Sequence, residues 1–182
     1  MVDANDQIVA SPLVEKHIMS DADGWFPIGS LNEWERKVVL AELADVTCDG
    51  WYRNPARASV DALGITYRDV SGNWRSMHPD FLFFHEIDGE MKASIVDPHG
   101  HHLDDAMVKL RGLAEFARDY GDSFHRIESV ANGSSGPALR SLDLKNPALQ
   151  RAILDGARTV VDFYDGEFAI EHGRTRTRTE ND

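Results

Sequence analysis

Asp88-Gly89 sits between two apolar runs and constrains this chain more than any other pair of residues. Asp-Gly marks a two-residue hairpin turn, because both central positions need a positive φ that these residues tolerate. Such a turn fixes register. It folds the run 80–87 against the run 90–97 so that Asp80 faces Asp97, Pro79 faces Pro98 and His78 faces His99. Directly opposed residues point to one side of a sheet, with Cβ atoms about 4.5–5.5 Å apart. His99 stands two residues beyond Asp97 and returns to that side if the strand continues. The first strand is apolar on both faces, with Phe81 and Phe83 on one and Leu82 and Phe84 on the other. A strand of that kind belongs inside a sheet covered on both sides.

The remaining punctuation is that of an α/β chain. Residues 1–29 read as an irregular N-terminal segment. Ser30 followed by Glu33 reads as a capping box that opens a helix to about Ala44. Leu31, Trp34, Val38 and Ala41 form its buried stripe, with Glu35 and Glu42 off the stripe. Strands are expected at 46–52 and 65–70, the second closed by the turn at 71–73. Beyond the hairpin, Leu103, Ala106, Met107, Leu110, Leu113, Ala114 and Ala117 keep helical spacing. Asp104 and Asp105 favour the positive end of that helix, and Gly121 stops it. Two more strands follow at 124–131 and 138–144, and Pro147 opens a last helix to about Tyr164. Residues 166–182 read as a disordered polar tail. The order α-β-β-β-β-α-β-β-α predicts one α/β domain over 30–165, a mixed central sheet flanked by helices on both faces.

Bulk properties narrow the function classes. A formal net charge of −12 is a poor match to a stand-alone nucleic-acid binder, which shows a basic face. Acid clusters do bind metals, and a bound ion inverts the local field. The single cysteine, Cys48, excludes an internal disulfide framework and points to a reducing cytoplasm. The sequence holds no Gly-Lys-Ser/Thr phosphate loop and no apolar run long enough to span a membrane.

The chemistry-bearing residues gather at the end of the second hairpin strand, in Asp97-Pro-His-Gly-His-His-Leu-Asp104. Two carboxylates that meet there repel each other, and a hard dication such as Mg²⁺ relieves the repulsion. Such an ion activates water and neutralises phosphoryl charge. His99 is placed to orient that water or accept its proton. Taken singly, each acid is more often a turn or strand-entry residue, and the histidines are more often solvated loop residues. A weaker alternative is a transition-metal hydrolase built on His99, His101 and His102. Lys109, on the second helix beside Asp105, is within reach of a phosphate. Trp51, Tyr52 and Trp74 are better read as core or rim residues than as base-stacking platforms.

These residues resemble the PD-(D/E)xK nuclease superfamily, and more narrowly the C-terminal region of type III restriction-type DEAD/DEAH helicases. The family core is a helix, a three-strand meander, a helix and a further strand, a restriction-endonuclease-like arrangement. Its acidic helix residue resembles Glu35 in Trp34-Glu35-Arg36, and its next strand resembles Trp51-Tyr-Arg-Asn-Pro55. Its first metal-binding acid resembles Asp80 in Pro79-Asp80. Asp97-Pro98-His99-Gly100 stands where the family has Glu/Asp-x-Lys-Gly, so His99 takes the place of the lysine. Asp105 and Lys109 are similar to an acidic and basic pair on the following helix. The resemblance covers about residues 17–145. It implies a Mg²⁺-dependent DNA endonuclease, with Mn²⁺ as a substitute, that works with a helicase. Asp80 and Asp97 hold the metal, Glu35 assists, His99 activates water or stabilises charge, and Lys109 stands in reserve. The alternative it leaves is a catalytically degenerate module that binds DNA or docks on a helicase.

Overall fold

Asp88 and Gly89 take φ of 54° and 78°, the left-handed pair that a tight hairpin turn needs. The computed structural model describes residues 10–98, 100, 105–133, 136 and 138–173. His99, His101, His102, Leu103 and Asp104 lie outside them, as do residues 1–9 and 174–182. Strand β1 (Leu13–Val14) and β2 (Phe26–Pro27) form a small antiparallel ribbon. Helix α1 (Glu33–Leu43), β3 (Cys48–Arg53), β4 (Ile65–Arg68) and β5 (Trp74–Met77) follow. The hairpin is β6 (Phe81–Ile87) and β7 (Glu90–Pro98). Helix α2 (Ala106–Tyr120) ends at Gly121 and a 3-10 turn, and leads to β8 (Arg126–Asn132) and β9 (Leu139–Asp143). Helices α3 (Pro147–Asp155) and α4 (Val160–Asp165) and strand β10 (Ala169–Glu171) complete the order.

The α/β reading holds. Six strands form one mixed sheet in the order β10-β9-β8-β7-β6-β3. Only the β7–β8 step is parallel, and a parallel step needs a crossover, which α2 supplies. Helix α1 covers one face, where Val38 and Val39 pack with Trp51, Phe81, Phe83, Val96 and Val130. Helices α2, α3 and α4 cover the other, over Ile95, Ile127, Ala131 and Leu142. Strand β6 is apolar on both faces as expected, with Phe81 and Phe83 under α1 and Leu82 packed toward α2. Among the described residues, no helix is long and apolar enough to cross a membrane.

Several local readings are corrected. Helix α1 is capped by Asn32 with Glu35, not by Ser30 with Glu33. Glu35 and Glu42, read as lying off the buried stripe, are on it. The buried residues of α1 are Glu35, Val38, Val39 and Glu42, a helical i, i+3, i+4, i+7 face. Periodicity of apolar residues missed it because each glutamate is neutralised by an arginine from the sheet. Strand β4 is not in the central sheet; it pairs with β5, which the sequence did not announce, in a separate ribbon packed on α2. The last helix is two, because Gly156 takes a left-handed φ of 72° and Thr159 starts a new capping box. The sheet also extends beyond 165: Ala169–Glu171 is edge strand β10 on β9, inside the stretch read as tail.

The ribbon of β4 and β5 approaches α2 so closely that Gly112 is a requirement. A Cβ there would stand 2.6 Å from Tyr67 Cβ. We expect Gly112→Ala to destabilise the fold by about 1–3 kcal/mol through overpacking, read as a lower urea midpoint.

The N-terminal segment is tied to the sheet edge by His17, which stacks on Phe26 at 3.5 Å and bridges to Trp51. Met19 N lies 3.0 Å from its Nδ1 and Arg53 N 3.2 Å from its Nε2; a neutral imidazole accepts at one of them at a time. Burial lowers its pKa from 6.5 to about 4, and burial also lowers that of His85 to about 4. At these two histidines the unfolded chain therefore binds more protons than the folded one between these values. The stability these histidines contribute should be full above 6.5 and fall as the pH drops toward 4. Urea titrations across that window should show a shallower slope for His17→Phe than for the parent chain.

Candidate functional site

The hairpin register holds to its end. Phe81 pairs with Val96, so the next pair outward is Asp80 with Asp97. The Asp80 backbone N–H donates to Asp97 Oδ1 at 3.0 Å. Strand β3 runs antiparallel to β6 and sets Arg53 opposite Phe81. From there its guanidinium reaches Asp80 Oδ1 at 2.7 Å and Glu35 Oε1 at 2.7 Å. It also donates to Asp80 O at 3.1 Å. The other oxygen of Glu35 accepts the Asn32 N–H at 2.8 Å in the cap of α1. Asn54 next door is buried and donates to Leu63 O and Pro79 O, while accepting the Leu63 N–H. Those three bonds pin the Pro79-Asp80 entry to β6.

Lys109 stands on the first turns of α2, paired with Asp105 at 2.7 Å. It lines, with Asp97, Ser129 and Tyr164, a small cavity of about 10 Å³, room for about one water. Tyr164 donates to Ser129 Oγ at 2.7 Å, and burial raises its phenol. Burial, with the negative charge of Asp80 added, pushes the Asp97 carboxyl up to about 7. Burial also raises Asp80, opposed by Arg53.

Two carboxylates stand at this strand end, with a third on the neighbouring helix and a lysine at the rim. Arg53 supplies positive charge to two of the three acids. The sequence candidates Glu35, Asp80, Asp97 and Lys109 thus lie toward one strand-end side of the sheet, and His99 lies outside the described residues. Arg53 was missed; its signal was its place in β3, beside the Pro79-Asp80 strand entry. Trp51 is fully buried and Trp74 is exposed under Arg68, as core and rim residues.

A second polar cluster lies at the other end of the same sheet. Arg126 makes a two-pronged pair with Glu42, whose partner atoms include Glu42 Oε1 at 3.1 Å, and comes within 3.6 Å of Glu128. Its Nη2 also lies 3.0 Å from His85 Nε2. His172 closes the cluster, 3.5 Å from Glu42 Oε1 and 3.7 Å from Glu128 Oε2. One ligand atom each from Glu42, Glu128 and His172 falls within 4.8 Å of the others, a compact group able to hold a metal ion. Sequence reasoning found none of these residues. Glu42 looked solvated, and His172 fell in the presumed tail.

A model of the YagJ family matches residues 15–173. Protein YagJ of Escherichia coli (strain K12) is 40% identical over 155 residues, which is 85% of this chain and 62% of that protein. The chain therefore spans less than two thirds of the length of this relative. No solved structure matches the chain significantly.

Removing Arg53 would leave Glu35 and Asp80 facing each other without their shared cation. Arg53→Met should destabilise by about 1–3 kcal/mol, below the cost of breaking a fully buried pair because these side chains are partly exposed. Adding Glu35→Gln to it should recover part of the loss in a denaturant titration.

Proposed function

The chain belongs to the YagJ family, and from the geometry above we propose that it is a metal-dependent endonuclease domain that hydrolyses DNA phosphodiesters. One observation carries the reading: Asp80 and Asp97 meet across the end of the β6–β7 hairpin, backbone N–H to carboxylate, at 3.0 Å. The order of elements supports it. Helix α1, the antiparallel strands β3, β6 and β7, helix α2 and the parallel strand β8 come in the order that the resemblance to PD-(D/E)xK enzymes implies.

Asp80 and Asp97 would hold Mg²⁺, or Mn²⁺ in its place. When bound, the ion supplies charge neutralisation at the scissile phosphate and a more acidic water. Glu35 orients Arg53 and, through it, the Asp80 carboxylate. Lys109 offers positive charge to a phosphate at the rim. His99 takes the position that lysine holds in the family, as acceptor of the water's proton or as a charge stabiliser. The acidic balance of the chain, −12, disfavours a firm grip on DNA by itself, so a helicase partner delivers the substrate in the cytoplasm.

A second reading has its own observation. Arg53 already pairs with Asp80 and Glu35, as it would in a degenerate nuclease fold kept for DNA binding or helicase docking. Incubation with duplex and single-stranded DNA in Mg²⁺ or Mn²⁺ separates the two. We expect ion-dependent cleavage that Asp80→Asn and Asp97→Asn each reduce by ~10²–10³-fold, the usual loss when a charge-stabilising group is removed. Cleavage unchanged in both variants removes these residues from the mechanism. DNA binding with no cleavage at any ion favours the degenerate module.

A further inference from the structure

Helix α1 covers the β3-β6-β7 half of its sheet face, and beside it a groove of about 750 Å³ runs over the strands from β8 to β10. Glu42, Arg126, Glu128, Ser141 and His172 stand on its wall. Glu42, Glu128 and His172 are 4%, 1% and 1% exposed as side chains. His172 is set by its backbone, whose N–H donates to Leu139 O at 2.8 Å. Its Nδ1 lies 2.7 Å from Ser141 Oγ. Its Nε2 is buried and has no hydrogen-bond partner, although it points toward Glu42 Oε1 at 3.5 Å.

We propose that Glu42, Glu128 and His172 form a binding site for a transition-metal dication of the zinc class, with its open position facing the groove. When the Ser141 hydroxyl accepts from Nδ1–H, the Nε2 lone pair faces the carboxylate. That is the outer-shell arrangement of metal-bound histidines. In that tautomer two electron-rich atoms face each other, and a cation between them relieves the repulsion. The spacing fits one: donors about 2.0–2.1 Å from a tetrahedral ion stand about 3.3 Å apart. Two carboxylates and one imidazole leave a fourth place for water or a ligand, and the groove provides the entry path. Arg126 holds the carboxylates in the ion-free protein, and its side chain, 16% exposed at the groove wall, swings outward when the ion enters. The donor set includes nitrogen, which suits zinc, cobalt or nickel better than magnesium.

This site shares no residue with the proposed nuclease centre and does not rest on that reading. The test is calorimetric titration of the full chain with Zn²⁺, and visible absorption with Co²⁺ as a probe of low coordination number. The expected result is one ion per chain at this site. His172→Gln and Glu128→Gln should weaken binding at least ~10-fold, and Ser141→Ala ~10-fold as loss of an outer-shell partner does. Arg126→Met should tighten binding by removing the competing cation. Asp119→Asn, an exposed change on α2 away from both clusters, should leave zinc binding unchanged. Circular dichroism on each variant separates lost binding from lost fold, and Ser141→Ala, the mildest change, keeps the test valid if the others unfold. Zinc bound equally well by His172→Gln and Ser141→Ala overturns the proposal. So does zinc lost only when His99, His101 and His102 are all replaced by alanine, or a parent chain that binds none.

Discussion

The β6–β7 register is the constraint on which the rest of the structure depends. Side chains alternate along a strand, so a slip of one residue would turn Phe81 and Phe83 away from α1 and separate Asp80 from Asp97. The two left-handed residues at 88 and 89 prevent that slip. With the register fixed, β6 becomes a central strand that receives β3 on one side, and β7 becomes the template for β8 on the other. The carboxylate pair at the far end is a geometric consequence of a turn eight residues away.

The second organising interaction is electrostatic. Helix α1 turns two glutamates toward its sheet, about two turns apart, where hydrocarbon would be the default. Burying a carboxylate is costly unless it is paired and hydrogen-bonded. Arg53 from β3 meets Glu35, and Arg126 from β8 meets Glu42. The two pairs clamp the helix at both ends, with Val38 and Val39 packed between them. Each pair also borders a cluster of further charges: Asp80, Asp97 and Lys109 near one, and Glu128, His85 and His172 near the other. The same device that orients α1 therefore builds two charged sites, at opposite ends of one sheet.

The chemistry of the two ends differs. At the first, the acids come from strand ends and a helix, and the donors are oxygen alone. At the second, an imidazole joins two carboxylates beside an open groove. Oxygen-only sets favour small hard ions, and mixed nitrogen and oxygen sets favour borderline ones. One acidic domain thus carries two different donor sets.

The sequence by itself determined the features that depend on near neighbours in the chain. The turn at 88–89, the facing of Asp80 and Asp97, the stripe of α2 from Ala106 to Ala117, the stop at Gly121 and the Lys109–Asp105 pair all follow from local φ preferences and spacing. The mixed α/β architecture was legible for the same reason. Tertiary structure alone decided what depends on distant partners. Whether Glu35 and Glu42 face solvent or sheet is set by arginines 18 and 84 residues away. Ile65–Arg68 pairs with β5 outside the central sheet, and the ribbon rests on α2, where Gly112 leaves room for Tyr67. Whether His172 is tail or core is set by the edge that β9 offers to β10. No local pattern encodes these outcomes, because a charged residue reads as exposed until the residue that neutralises it is in place.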